Sequence, residues 1–110
     1  DQLVIIETAQ FKVLAEFLTS LNAIQEGGEP LLDRTMVLYG APMGNAASHD
    51  NKNLPMLLLG GGFKHAGHLA FDNKKNYPLP NLYLSMLQRM GLLIDKFATS
   101  TGTMRGLDFV

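Results

Sequence analysis

Three histidines are the side chains of this chain best suited to bind a metal ion or to transfer a proton. His49 stands between Ser48 and Asp50 in a polar loop. It could act as a metal ligand or general base, or it could be a loop residue bonded to the backbone. His65 and His68 lie three positions apart, and we interpret them as exposed hairpin residues. If the fold brings them close to His49, the three imidazoles could form one metal site.

The loop around His49 is rich in glycine and amide side chains but lacks a recognisable nucleophile. Three consecutive glycines follow the apolar run after this loop, as in phosphate-cradling turns, but they match neither GxGxxG nor GxxxxGK[ST]. Close backbone approach at a strand exit is the alternative interpretation. Ser48, His49 and Asp50 do not form a triad pattern, since no nucleophile elbow surrounds the serine. A pocket at this loop would be lined by Gly44, Asn45, Ser48, Asp50, Gly60, Gly61 and Gly62.

Two short apolar runs, residues 35–39 and 54–59, flank this loop. Their apolar residues are consecutive rather than alternating, which predicts strands buried on both faces and therefore a parallel pair. Apolar spacings of three and four predict helices over residues 1–25 and 80–90. Residues 63–72 are expected to form a small hairpin. The predicted fold class is α/β, with two central parallel strands, a small hairpin and two main helices.

Length and composition limit the number of domains and the classes of partner. A chain of 110 residues is a single domain. Its net charge is -1 and it has no basic patch, which argues against a nucleic-acid partner, and its apolar runs are too short to span a membrane. The chain opens without an initiator methionine, and its α/β unit is thin. We therefore expect the C-terminal portion of a larger α/β domain, completed by a missing N-terminal segment or by self-association.

Four motifs together resemble the C-terminal part of a family of exported bacterial proteins of unknown function. They are GAPMGNAASHDNKNLPMLLLGGG, FKHAGHLAF, PLPNLYLSMLQRMG and STGTMRGL, and the resemblance covers residues 32–107. The family is remotely similar to the alkaline phosphatase and sulfatase superfamily. The resemblance implies a partial alkaline-phosphatase-like layer and a periplasmic or secreted location.

The same resemblance bears on the histidines. Metallohydrolases of the superfamily commonly place Asp-His-Gly at a strand end, followed by a loop histidine. Here Pro42 and Met43 stand where the first ligands would fall, and neither suits a hard or borderline divalent ion. Of the family's metal ligands, His49 alone carries over. The nucleophile and the other ligands would lie upstream, where the full-length protein could hold a divalent metal.

Three hypotheses about function follow. The first is a non-catalytic protein with a degenerate metal site. The second is part of a metal-dependent hydrolase of phosphate or sulfate esters, with catalytic residues supplied upstream. The third is a binding module for a partner or a cell-envelope ligand, for which we expect a concave apolar patch beside residues 77–82.

Overall fold

The computed structural model describes residues 2–65 and 67–109, beginning with a long helix. α1 spans Gln2–Ala23, within the predicted range. A two-residue turn at Gly27 and Gly28 then joins β1 (Gln25–Glu26) to β2 (Glu29–Pro30) in an antiparallel hairpin. Both glycines have positive φ, a conformation that glycine adopts without a Cβ clash.

A single helical turn follows this hairpin. α2 spans Leu31–Arg34 and begins directly after Pro30, whose φ of -57° suits the position before a first helical turn. Leu31 N–H donates to Ile24 O at 2.8 Å, which ties α2 back to the end of α1. The sequence patterns do not predict the hairpin or α2, because both elements are too short for a hydrophobic period to repeat within them.

The central pair of strands is antiparallel. β3 (Met36–Gly40) pairs with β4 (Met56–Gly60), in a register that places Met36 opposite Gly60 and Gly40 opposite Met56. The two predicted strands are therefore present, but their predicted parallel pairing is wrong. The alkaline-phosphatase-like layer built on that pairing is also wrong. Residues 41–55 return the chain directly, without the helical crossover that a parallel pair requires.

The predicted hairpin over residues 63–72 is also corrected. β5 (Phe63–Lys64) pairs with β6 (Asp108–Phe109), near the other end of the chain, and the segment after β5 is irregular up to α3 in its described residues. The sheets of the described chain are thus three separate antiparallel pairs. Pairing between distant segments carries no local sequence signal, whereas a hairpin does.

The best-buried part of the molecule surrounds α3 (Leu79–Arg89), which agrees with the predicted second helix. Leu82 and Leu84 are buried there, as are the polar residues Asn81 and Ser85. Asn81 and Ser85 bind the C-terminal segment. Asn81 Oδ1 accepts the Thr101 N–H at 2.9 Å, and Ser85 Oγ accepts the Met104 N–H at 2.8 Å. These bonds satisfy buried polar groups and fix the irregular tail along the helix.

Helix α1, in contrast, is largely exposed to solvent. Seven of its large apolar side chains are 48–70% exposed, namely Leu3, Val4, Ile5, Ile6, Phe11, Val13 and Phe17. No residue described in this helix is classed as buried. Phe11 lies 5.6 Å from the Tyr39 ring between centroids, which places α1 beside the β3–β4 pair. In the described parts of the chain, no helix is both long and apolar enough to cross a membrane.

Candidate functional site: an open groove beside β4

A large groove lies between α1, the β3–β4 pair and the segment that leads into α3. Its volume is about 1150 Å³. Most small-molecule sites fall between about 300 and 1,000 Å³, so this space is larger than a typical metabolite pocket. The apolar and aromatic part of its lining comprises Phe11, Tyr39, Leu54, Pro55, Met56, Leu57, Leu58, Leu69, Phe71, Tyr77, Pro78, Leu79, Leu82, Met104 and Leu107.

The lining residues of β4 show how the groove meets the sheet. Leu54 and Pro55, which precede the strand, and Met56, Leu57 and Leu58 within it line the groove as a continuous run. Alternate residues of a strand point to opposite faces, so a run of consecutive lining residues indicates that main chain of β4 borders the groove. Tyr39 and Gly40 of β3, which pair with Leu57 and Met56, line the groove as well. Among the described residues β4 has one strand neighbour, β3, so its other edge has no strand partner. The groove therefore borders the end of the β3–β4 pair at Met56 and Leu57, on a strand that has one unpartnered edge among the described residues.

The far wall of the groove is held together by amide side chains. Asn53 Nδ2–H donates to Asn73 O at 3.2 Å, and Asn76 Nδ2–H donates to Asn53 Oδ1 at 2.9 Å. These bonds join the loop before β4 to the loop before α3, although the two loops are about twenty residues apart in sequence. Phe71 and Tyr77 also contact each other, with ring centroids 4.6 Å apart. Long-range contacts thus define this wall.

Two lysines lie beside this junction of loops. Lys52 and Lys74 both line the groove, each next in sequence to an asparagine of the bonded pair. Neither ammonium group forms a salt bridge with a carboxylate of the described chain. Glu7, on α1, is the acidic residue of the described lining. Among the described lining residues, the lysine and carboxylate groups are therefore Lys52, Lys74 and Glu7, and His65 and His68 also line the groove.

His49, the candidate ligand of the sequence analysis, lies away from this groove. It is exposed, its φ is +52°, and its N–H donates to Ala46 O at 3.4 Å within a tight turn. This arrangement corresponds to the alternative interpretation of a loop histidine bonded to the backbone. No group of three or more His, Cys, Asp or Glu side chains is placed to hold a metal ion within residues 2–65 and 67–109. The described residues therefore do not contain a complete set of metal ligands.

The other two histidines line the groove but are not gathered into a site with His49. His65 Nε2 lies 3.0 Å from the Gly60 carbonyl oxygen. A carbonyl can only accept, so Nε2 carries the proton and donates. That nitrogen is consequently occupied, and the bond fixes the imidazole to the end of β4. His68 is exposed.

The predicted pocket residues in the loop mainly stabilise the loop itself. Asn45 Oδ1 accepts the N–H groups of Ala47 and Ser48 at 3.0 and 3.3 Å, and Asp50 Oδ1 accepts the Lys52 N–H at 3.1 Å. The Gly44 N–H donates to Asp50 O at 2.8 Å. Gly44, Asn45, Ser48 and Asp50 therefore form a closed turn, and none of them is among the lining residues of the groove.

The three glycines also lie outside the groove lining, in the turn that leaves β4. All three have positive φ, between +66° and +74°. The Gly61 N–H donates to Leu32 O at 3.0 Å, and Gly61 O accepts the Arg89 Nε–H at 2.7 Å. The turn is therefore packed between α2 and the end of α3, as the interpretation of close backbone approach predicts.

The residues of the groove itself are mostly absent from the sequence-based set. One sequence expectation does point there: the concave apolar patch that a binding module would carry beside residues 77–82. Tyr77, Pro78, Leu79 and Leu82 all line the groove. The signal was the cluster of aromatic and apolar residues at the start of the second predicted helix. Nothing in the sequence indicated that α1 and β4 would form the remaining walls.

Comparisons with protein-family models, with curated proteins and with solved structures each found no match. The resemblance to a family of exported bacterial proteins therefore stays a prediction.

Proposed function

We propose that this chain is a polypeptide-binding module whose partner lies in the groove and adds a strand to the open edge of β4. The observation that carries the proposal is the groove itself, which has a largely apolar lining and borders β4, a strand whose second edge has no strand partner among the described residues. Strand addition supplies main-chain hydrogen bonds, and pockets beside the strand accept alternate side chains.

The marginal stability of a two-stranded pair such as β3–β4 supports the addition of a third strand. An isolated pair of strands is marginally stable in water, and at least three strands or a packed helix are needed for independent stability. Val37, Leu38 and Leu57 are apolar, and none of the three is classed as buried. A third strand would cover peptide groups and apolar surface in one step.

The exposed surface of α1 supports it independently. Contiguous apolar surface rimmed by polar residues marks interaction sites in soluble proteins. Phe11 lines the groove on the α1 side, and its side chain is 48% exposed. A partner in the groove would contact α1 as well as β4. The partner is either a second copy of this chain or a different polypeptide.

Leu57 gives a direct test. It lines the groove and is 42% exposed, so Leu57→Lys places a charge where the partner's apolar side chains would lie. The probe is a fluorescein-labelled synthetic peptide of alternating leucine and serine, followed by fluorescence anisotropy. We expect Leu57→Lys to weaken binding at least tenfold, which corresponds to about 1.4 kcal/mol.

Leu93 provides the matched control, because it is a fully exposed leucine outside the groove lining. Leu93→Lys should leave the dissociation constant unchanged, and Leu57→Ser, a milder change, should weaken binding if Leu57→Lys fails to fold. Equal binding by the Leu57 and Leu93 variants would refute the proposal. So would a wild-type chain that sediments as a sharp monomer, melts cooperatively and does not bind the peptide.

A further inference from the structure

We infer that the groove selects an extended polypeptide segment that carries carboxylates opposite Lys52 and Lys74. This inference rests on the proposed function and specifies the chemistry of the partner. Both lysines line the groove, and neither forms a salt bridge with a carboxylate of the described chain. The chain as a whole is slightly acidic, with a net charge of -1, so positive charge at the groove is a local feature.

The nearby aspartates form no salt bridge with Lys52 or Lys74 among the described residues. Asp50 and Asp72 are close to the lysines in sequence, but their described bonds are to main-chain N–H groups. Asp50 Oδ1 accepts the Lys52 N–H, and Asp72 Oδ1 accepts the N–H groups of Lys74 and Lys75. Neither aspartate is among the lining residues. Their carboxylates therefore shape the two turns that carry Lys52 and Lys74.

The two lysines belong to one binding region because their loops are joined. The bonds of Asn53 to Asn73 O and to Asn76 hold the two loops together beside the groove. Opposite charges give specificity and faster association even where each exposed pair contributes little affinity. Glu7, on the α1 wall, would favour a basic or neutral residue of the partner at its own position. The two lysines thus favour a negatively charged partner segment at the wall where Asn53 joins the two loops.

The experiment compares two labelled peptides of equal length, one alternating leucine with glutamate and the other alternating leucine with lysine. At low salt we expect the glutamate peptide to bind about tenfold more tightly, and we expect the difference to shrink in 0.5 M salt because screening weakens exposed pairs. The double variant Lys52→Glu/Lys74→Glu should reverse the preference. Lys75→Glu and Lys96→Glu, which change lysines outside the lining, should preserve it.

The outcomes separate this inference from the proposed function. If both peptides bind equally and Leu57→Lys weakens both, the groove binds polypeptides without charge selection, and the inference fails alone. If neither peptide depends on Leu57, the proposed function fails with it. A preference that survives the double charge reversal would place the charge selection elsewhere and overturn the inference. A dimer of this chain that the glutamate peptide does not dissociate would identify a second copy as the occupant, which also overturns it.

Discussion

Replacing Gly60 with alanine should destabilise the chain far more than replacing Gly28, which also has a positive φ. Gly60 has φ +66°, and an added Cβ would meet the carbonyl oxygens of Leu32 and Thr35, the latter at 2.5 Å. Both obstacles are main-chain atoms at the α2–β3 junction, so a change of side-chain rotamer cannot relieve the contact. The Gly61 N–H bond to Leu32 O lies in the same place and would be displaced with it.

The expected loss in free energy of unfolding has a conformational part and a steric part. The left-handed conformation itself costs an L-residue about 1–2 kcal/mol. Forcing an extra methyl group into packed surroundings costs about 1–3 kcal/mol more. We therefore expect Gly60→Ala to lower the free energy of unfolding by roughly 2–5 kcal/mol, before the small gain of about 0.4–1 kcal/mol from a less flexible unfolded chain.

The Gly28→Ala variant separates the conformational cost from the steric cost. The φ of Gly28 is +87°, and nothing lies within 4 Å of an added Cβ, so Gly28→Ala carries the conformational cost without the steric one. Urea unfolding followed by circular dichroism gives the free energy for each variant, provided that the slope with denaturant is unchanged. If the two variants are destabilised equally, the argument that Gly60 is required by close packing is refuted.

Three further predictions concern single side chains. Asn81→Ala removes the acceptor of the Thr101 N–H and should lower the free energy of unfolding by about 1–3 kcal/mol in urea titrations, because a part-buried bond made by a buried side chain is lost. Arg89→Met, which removes the Nε–H donor to Gly61 O, should cost less, about 1 kcal/mol, since Arg89 is partly hydrated. His49→Gly should raise the free energy of unfolding by up to about 1 kcal/mol, because glycine tolerates φ +52°.

The contradicting results differ among these three. An Asn81→Ala variant as stable as the wild type would mean that the bond between Asn81 and Thr101 does not stabilise the contact of the tail with α3. A larger loss for Arg89→Met than for Asn81→Ala would make the glycine turn, rather than the α3–tail contact, the main stabilising region. A strong destabilisation by His49→Gly would mean that the imidazole makes a contact that its exposed position does not suggest.

The candidate site was only partly predictable from sequence. The patch beside residues 77–82 could be anticipated, because Tyr77 and Leu79 are large apolar residues next to a helix start. The pocket expected around Ser48 and Asp50 depended on the two strands being parallel, with the loop at a shared sheet edge. Since the strands are antiparallel, that loop closes on itself, and the groove opens along β4 instead.

Local patterns in the sequence determined the two long helices, the positions of β3 and β4, and the need for glycine in the turn after β4. Helical spacing, short apolar runs and positive φ act over a few residues, so these features follow from neighbouring side chains. Tertiary structure decided the direction in which β3 and β4 pair, the pairing of β5 with β6, and the walls of the groove. Each of these depends on contacts between distant segments, such as Phe11 with Tyr39, for which the order of residues carries no local signal.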